Sequence, residues 1–239
     1  MITHILFDVD DTLLDYRQAE AFTLNRIFES CGRTLSEEDL REAWQLSWAY
    51  WDAEQLSETD LPEVQRDYHE RYHRGVRAYC GALSRKHALG LTEEETYRRF
   101  NAYMGQAVTL YDDTLEVLDA LKERGYVLCA ATNGLARVQK PRVLALGRMD
   151  RLFCSEELGL VKPMREFFER VLQETGVRPE QCIMVGDSLR SDIAGAQSVG
   201  IKSIWINREE RECPGNMAPD ESVRRLGDIL RSKLLMQEG

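Results

Sequence analysis

His4-Ile-Leu-Phe-Asp-Val-Asp-Asp-Thr-Leu13 decides the fold. Ile5, Leu6 and Phe7 form a short apolar run that reads as a buried strand, and Asp8 and Asp10 fall where that run ends. Alternation along extended chain puts both carboxylates on one side. A strand's carboxyl end is where open α/β sheets bind ligands. Two adjacent buried carboxylates are costly without a cation, so the pair asks for a metal or for proton chemistry. The plain alternative is a polar strand end running into a turn, because Asp-Asp-Thr is also ordinary turn chemistry.

Outward from this stretch the composition is that of a globular chain. It has 239 residues, 43% hydrophobic and 30% charged, enough for one large domain or two modest ones. A net charge of −10 argues against a nucleic-acid polymer or an anionic membrane as partner. A locally positive site can still take a small phosphorylated metabolite. No run approaches 18 apolar residues and the N-terminus opens directly on a strand, so neither a signal peptide nor a membrane span is expected. Six cysteines without a C-x-x-C pair, three of them (Cys129, Cys154, Cys182) in apolar runs, fit a reduced, cytoplasmic protein.

The texture of the chain changes twice. From 15 to 107 it is helical and polar, with capping pairs at Ser36/Asp39 and Thr92/Glu95 and Pro62 suited to the first position of a helix. Four helices around a separate small core are expected there. From 108 to 239 helix and strand alternate, with strands expected at Tyr126–Thr132, Leu152–Ser155, Cys182–Val185 and Ser203–Ile206. Helices are expected between them, including Asp192–Val199, and a terminal helix near Ser222–Leu235. This order predicts an α/β fold: a Rossmann-like parallel sheet of residues 1–14 and 108–239, helices on both faces, interrupted by an all-α insertion at 15–107.

Each later strand ends in a polar residue able to face the crevice beside Asp8. One ends Ala131-Thr-Asn-Gly134, where a hydroxyl and loop amides ahead of a helix can cradle a phosphate. Lys162 precedes Pro163, which disfavours helical geometry at the lysine and holds it in the loop before the next helix. The competing reading is a solvated surface lysine. Another strand ends Gly186-Asp-Ser-Leu-Arg-Ser-Asp192, where Asp187 is a candidate metal ligand and Asp192 either joins it or caps a helix.

Taken in order, D-x-D-x-T, strand-terminal Thr, Lys-Pro and Gly-Asp-x-x-x-x-Asp resemble the haloacid dehalogenase-like (HAD) hydrolase superfamily, with the helical insertion similar to its C1-type cap. Asp-Val-Asp-Asp-Thr-Leu, Ala-Thr-Asn-Gly and Gly-Asp-Ser-Leu-Arg-Ser-Asp-Ile most resemble its YjjG/YfnB-like branch of pyrimidine 5′-nucleotidases. The resemblance implies that Asp8 is a nucleophile forming an aspartyl-phosphate and that Asp10 protonates the leaving alkoxide, then activates water. It also implies that Mg²⁺ is held by Asp8, the Asp10 carbonyl and Asp187. Thr132, the Asn133 amide and Lys162 would hold the phosphoryl oxygens, and Asp192 would support the metal's water shell or position Lys162. A halide leaves without a proton whereas an alkoxide needs one, so Asp10 favours a phosphatase over a dehalogenase. A phosphatase of sugar phosphates, a phosphomutase and a non-catalytic binding module on the same fold remain alternatives. A monomer and a homodimer are equally compatible with the chain.

Two other patterns compete for attention. His69-Glu-Arg-Tyr-His73 satisfies H-E-x-x-H, but its strongly charged surroundings read as a solvated helix, and no third zinc ligand stands out. Trp44, Trp48 and Trp51 form a helical stripe, which reads as packing, with nucleobase stacking as the sharper alternative.

Overall fold

The structure, a computed structural model, describes residues 1–215 and 217–236. The chain runs β1 (His4–Phe7), α1 (Tyr16–Glu29), α2 (Glu37–Ala53), α3 (Pro62–Lys86), α4 (Glu93–Met104), α5 (Thr114–Glu123), β2 (Val127–Thr132), α6 (Ala136–Leu146) and β3 (Arg151–Cys154). It continues with α7 (Ser155–Leu158), α8 (Arg165–Thr175), β4 (Cys182–Gly186), a wide helical turn at Leu189–Ala194, α9 (Gly195–Ser198), β5 (Lys202–Ile206) and β6 (Glu221–Val223). It divides into two compact units, Met1–Asp15 with Thr109–Gly239, and Tyr16–Val108.

The first unit is a six-stranded parallel sheet of order β3-β2-β1-β4-β5-β6. Its strands are apolar on both faces, as a sheet covered twice requires. Leu6, Cys129 and Met184 pack under Phe167, Phe168 and Val171 of α8 and Ala196 of α9. The alternate residues Ile5, Phe7, Leu128 and Ala130 are equally buried. The chain builds outward from β1 through β2 to β3, then returns to lay β4 on the other side of β1. The order therefore reverses between β1 and β4, the point at which an open α/β sheet leaves a crevice beyond its strand ends.

The second unit is α1–α4, closed around Leu24, Ile27, Phe28, Tyr79, Leu83, Tyr97 and Phe100. The local signals are realised as expected. Ser36 and Thr92 each accept from the third backbone N–H of their helix, while Asp39 and Glu95 reach back to the cap N–H, and Pro62 opens α3. Trp44 lies under the Arg17 guanidinium, and Trp51 donates to Ser57 and meets Tyr72 edge-on, so packing accounts for both. Trp48 is exposed. His73 is hydrogen bonded to the Tyr97 hydroxyl, and neither His69 nor His73 joins a group of metal-competent side chains among the described residues. No described helix is long and apolar enough to cross a membrane.

Two expected helices are absent in that form. The stretch expected as a terminal helix near Ser222–Leu235 instead gives β6 and a 3₁₀ segment, Leu226–Arg231. The open edge of β5 needs backbone partners, which β6 supplies opposite Ile204, Trp205 and Ile206. Leu226 and Ile229, spaced by three, bury one side of the 3₁₀ turn. The helix expected over Asp192–Val199 starts earlier, as the wide turn Leu189–Ala194, with the Ile193 N–H reaching the Ser188 carbonyl five residues back.

Candidate active site

Of the seven residues singled out for the site, Asp8, Asp10, Thr132, Asn133 and Asp187 lie just at or past the carboxyl ends of β1, β2 and β4, Lys162 lies in the loop before α8, and Asp192 lies in the wide turn Leu189–Ala194. The Asp8 amide donates to the Val185 carbonyl at 2.9 Å, tying the end of β1 to β4 at the switch point. The following loop turns back on itself. Asp11, at φ 60°, takes the left-handed conformation that Asp tolerates, and its N–H meets the Leu14 carbonyl at 2.7 Å.

Lys162 is 1% exposed. Its ammonium donates all three hydrogens: to Asp8 Oδ1 at 2.6 Å, Asp192 Oδ1 at 2.7 Å and the Ala131 carbonyl at 2.7 Å. Burial opposes its charge, but Asp192 and Asp8 outweigh that and hold the ammonium protonated beyond its ordinary range. The carboxylates are not balanced in return. Burial, reinforced by Asp8, Asp192 and Asp11, pushes the Asp187 carboxyl well above the usual range, with Lys162 opposing. Burial also raises Asp8, opposed by Lys162 and reinforced by Asp192 and Asp10.

One oxygen each of Asp8, Asp187 and Asp192 lies within 4.8 Å of the others. A hard divalent cation would answer this surplus of negative charge, and the all-oxygen donor set fits Mg²⁺. Asp192 is not a helix cap. Ser188 caps the wide turn, and Asp192 Oδ2 accepts from the Ser188 N–H at 3.1 Å while Oδ1 faces Lys162. A methyl at Gly186 would sit 2.2 Å from Asp192 Oδ2, so only glycine there lets the aspartate reach the site.

The β2 end is held by short local bonds. The Thr132 hydroxyl is buried and accepts from the Gly134 N–H at 3.1 Å. The Asn133 side chain forms a reciprocal pair with the Lys162 backbone, both bonds at 2.8 Å, so it clamps the two loops together. Glu156 takes the Ala136 N–H at 2.7 Å, so this amide at the start of α6 is already occupied.

Asp10 faces α6. Its Oδ2 accepts from the Gln139 amide at 2.6 Å, and its Oδ1 lies 2.7 Å from the Arg142 guanidinium.

Residues 2–200 match the model of the haloacid dehalogenase-like hydrolases. The chain belongs to that family. Among relatives of this hydrolase, the pyrimidine 5′-nucleotidase PynA of Streptococcus pneumoniae (strain ATCC BAA-255 / R6) is 30% identical over 95% of this chain and 92% of its own. The pyrimidine 5′-nucleotidase YjjG of Escherichia coli K12 is 26% identical over 94% and 95%. The magnesium-bound crystal structure of YfnB from Bacillus subtilis superposes with a TM-score of 0.80 at 25% identity, covering 96% of this hydrolase and 97% of YfnB. The resemblance drawn from the four motifs is thereby shown at the level of the family and its nucleotidase branch.

Gln139 and Arg142 escaped the reading of the hydrolase's sequence. Arg142 is fully buried, yet on a helical pattern it looks like any other surface arginine. The one available signal is its spacing of three from Gln139, which sets both side chains on one face of α6 directly after the anion loop.

Proposed function

We propose that this hydrolase is a Mg²⁺-dependent phosphatase of small phosphate monoesters, nucleoside 5′-monophosphates in particular, working through an aspartyl-phosphate on Asp8. The observation that carries the reading is the buried ammonium of Lys162, bonded to Asp8 and Asp192 beside Asp187 at the sheet's switch point. Asp8, Asp187 and the Asp10 carbonyl would hold the metal, which would screen the repulsion between a carboxylate nucleophile and an anionic phosphoryl group.

The chain's own residues account for the rest. The Asp8 carboxylate attacks phosphorus. The bond from phosphorus to the ester oxygen breaks, and that oxygen takes the proton of Asp10. Asp10 then accepts a proton from the water that attacks the aspartyl-phosphate, which releases phosphate, frees the Asp8 carboxylate and returns Asp10 to its protonated form. Lys162, the Thr132 hydroxyl and the Asn133 amide hold the oxygens on which charge spreads in the transition state. Asp192 fixes Lys162. The preference for nucleoside monophosphates rests on the activities named for PynA and YjjG. Six free cysteines suit a reducing, cytoplasmic setting.

Phosphate release from nucleotides, sugar phosphates and phospho-acids, with Mg²⁺ or with EDTA, tests the reading. The expected result is Mg²⁺-dependent turnover, fastest on pyrimidine monophosphates and absent in Asp8→Asn. Activity confined to sugar phosphates keeps the mechanism and overturns the substrate. Release of no phosphate from any ester overturns both.

A further inference from the structure

The side of α6 that faces Asp10 is more elaborate than packing requires. Arg142 is fully buried and its guanidinium meets Asp10 Oδ1 at 2.7 Å. Burying a cation is expensive unless a partner is fixed in place. Gln139 is 2% exposed and stands between the two: its Nε2 donates to Asp10 Oδ2 at 2.6 Å, and its Oε1 accepts from Arg142 Nη1 at 3.3 Å. The amide orientation follows from its neighbours, since a carboxylate can only accept and a guanidinium can only donate. No hydrogen bond is directed at Asp10 Oδ1, which meets the guanidinium as an ion pair. The carboxylate is thus held at one oxygen by a bond and at the other by charge.

The route of Gln139 to Asp10 is itself built. A methyl on Gly134 would lie 2.3 Å from Gln139 Nε2 and 2.7 Å from its Cγ. The absence of a side chain at Gly134 is what lets the glutamine cross the anion loop. The same short stretch, Thr132 to Arg142, therefore carries both the proposed phosphate cradle and the support of Asp10.

We propose that Gln139 and Arg142 are positioning residues that aim the Asp10 carboxylate for proton transfer, through the gap left by Gly134. The proposal rests on Asp10 acting as the acid and base of the phosphatase reading. A group that only stabilises the fold would affect all substrates alike. One that aims a proton matters for esters with basic leaving groups and little for those that leave unaided, because only an alkoxide needs the proton.

The test is kcat/KM, which reports the steps through ester cleavage, on uridine 5′-monophosphate and on p-nitrophenyl phosphate. It is measured for Gln139→Leu, Gly134→Ala, Arg142→Met, Arg142→Lys and Asp10→Ala. Gln139→Leu is expected to lose about 10- to 100-fold on the nucleotide and less than about threefold on the nitrophenyl ester, while Gly134→Ala, which also disturbs the loop beside Thr132, should lose activity on both. Arg142→Lys should recover part of the nucleotide activity that Arg142→Met loses. Equal losses on both esters, or none on either, in Gln139→Leu overturn the proposal. Asp10→Ala separates the levels: if it too fails to discriminate between the esters, the acid–base reading of Asp10 falls. If it discriminates and Gln139→Leu does not, only the positioning role falls.

Discussion

The sheet unit and the helical unit both bury ionisable side chains, and they partner them differently. At the strand ends, buried charges come in sets: Lys162 between Asp8 and Asp192, Arg142 against Asp10. In the helical unit Glu20 is buried with no counter-charge, and its Oε1 has no hydrogen-bond partner. Burial pushes that carboxyl up to about 7, against the weaker pull of the Ser47 and Tyr79 hydroxyls. Burial raises the strand-end carboxyls Asp8 and Asp187 as well, but there the Lys162 ammonium opposes it, whereas at Glu20 only hydroxyls do. What distinguishes the two regions is the paired cation, not the direction of the shift.

The sharpest way to break the contrast is to remove the central cation. Lys162→Met leaves Asp8 and Asp192 buried and unpaired, with an expected cost of about 3–5 kcal/mol by urea unfolding and a fall in kcat of at least about 10²-fold. Added Mg²⁺ should return part of that stability, since a divalent cation answers the same surplus of negative charge. If the variant is as stable as the parent without metal, the strand-end charges are not mutually dependent.

Glu20 gives the next largest effect, through pH. Its folded pKa lies above its unfolded value, so the neutral form favours folding. The stabilisation is complete below about 4.5 and is lost as pH rises through about 7. Unfolding free energy should therefore drop by on the order of 2–3 kcal/mol from pH 4.5 to 8, and Glu20→Gln should flatten the curve. A wild-type curve that rises across that window would show that Glu20 is stabilised as an anion, and the contrast would fail.

Asn133→Ala tests the clamp between the β2 loop and Lys162. Loss of two hydrogen bonds should cost about 1–3 kcal/mol and lower kcat about 10-fold by letting the ammonium drift. The smallest effect belongs to the helical unit. Thr92→Ala removes a capping box for about 1 kcal/mol of stability, with kcat unchanged.

The four motifs were legible because each is a local event. A polar residue terminating an apolar run marks a strand end, and the chain order of such ends supplies the crevice. Capping boxes at Ser36 and Thr92 were legible for the same reason. Arg142 was not, since burial of a helical arginine depends on where α6 lies against β1, which no spacing within the helix encodes. The stretch after Ser222 was misread because β6 exists only through its pairing with β5. Asp192 offered two local readings, cap or site, and only the closeness of Lys162 to its Oδ1 separates them.

The central claim is a covalent phosphoryl group on Asp8. Rapid acid quenching of the wild-type protein during turnover of a radiolabelled nucleoside 5′-monophosphate, followed by hydroxylamine treatment and peptide mapping, tests it directly. The account predicts acid-stable, hydroxylamine-labile label on the peptide bearing Asp8, absent from Asp8→Asn. Steady release of phosphate with label on another residue, or with no label at any quench time, would contradict it.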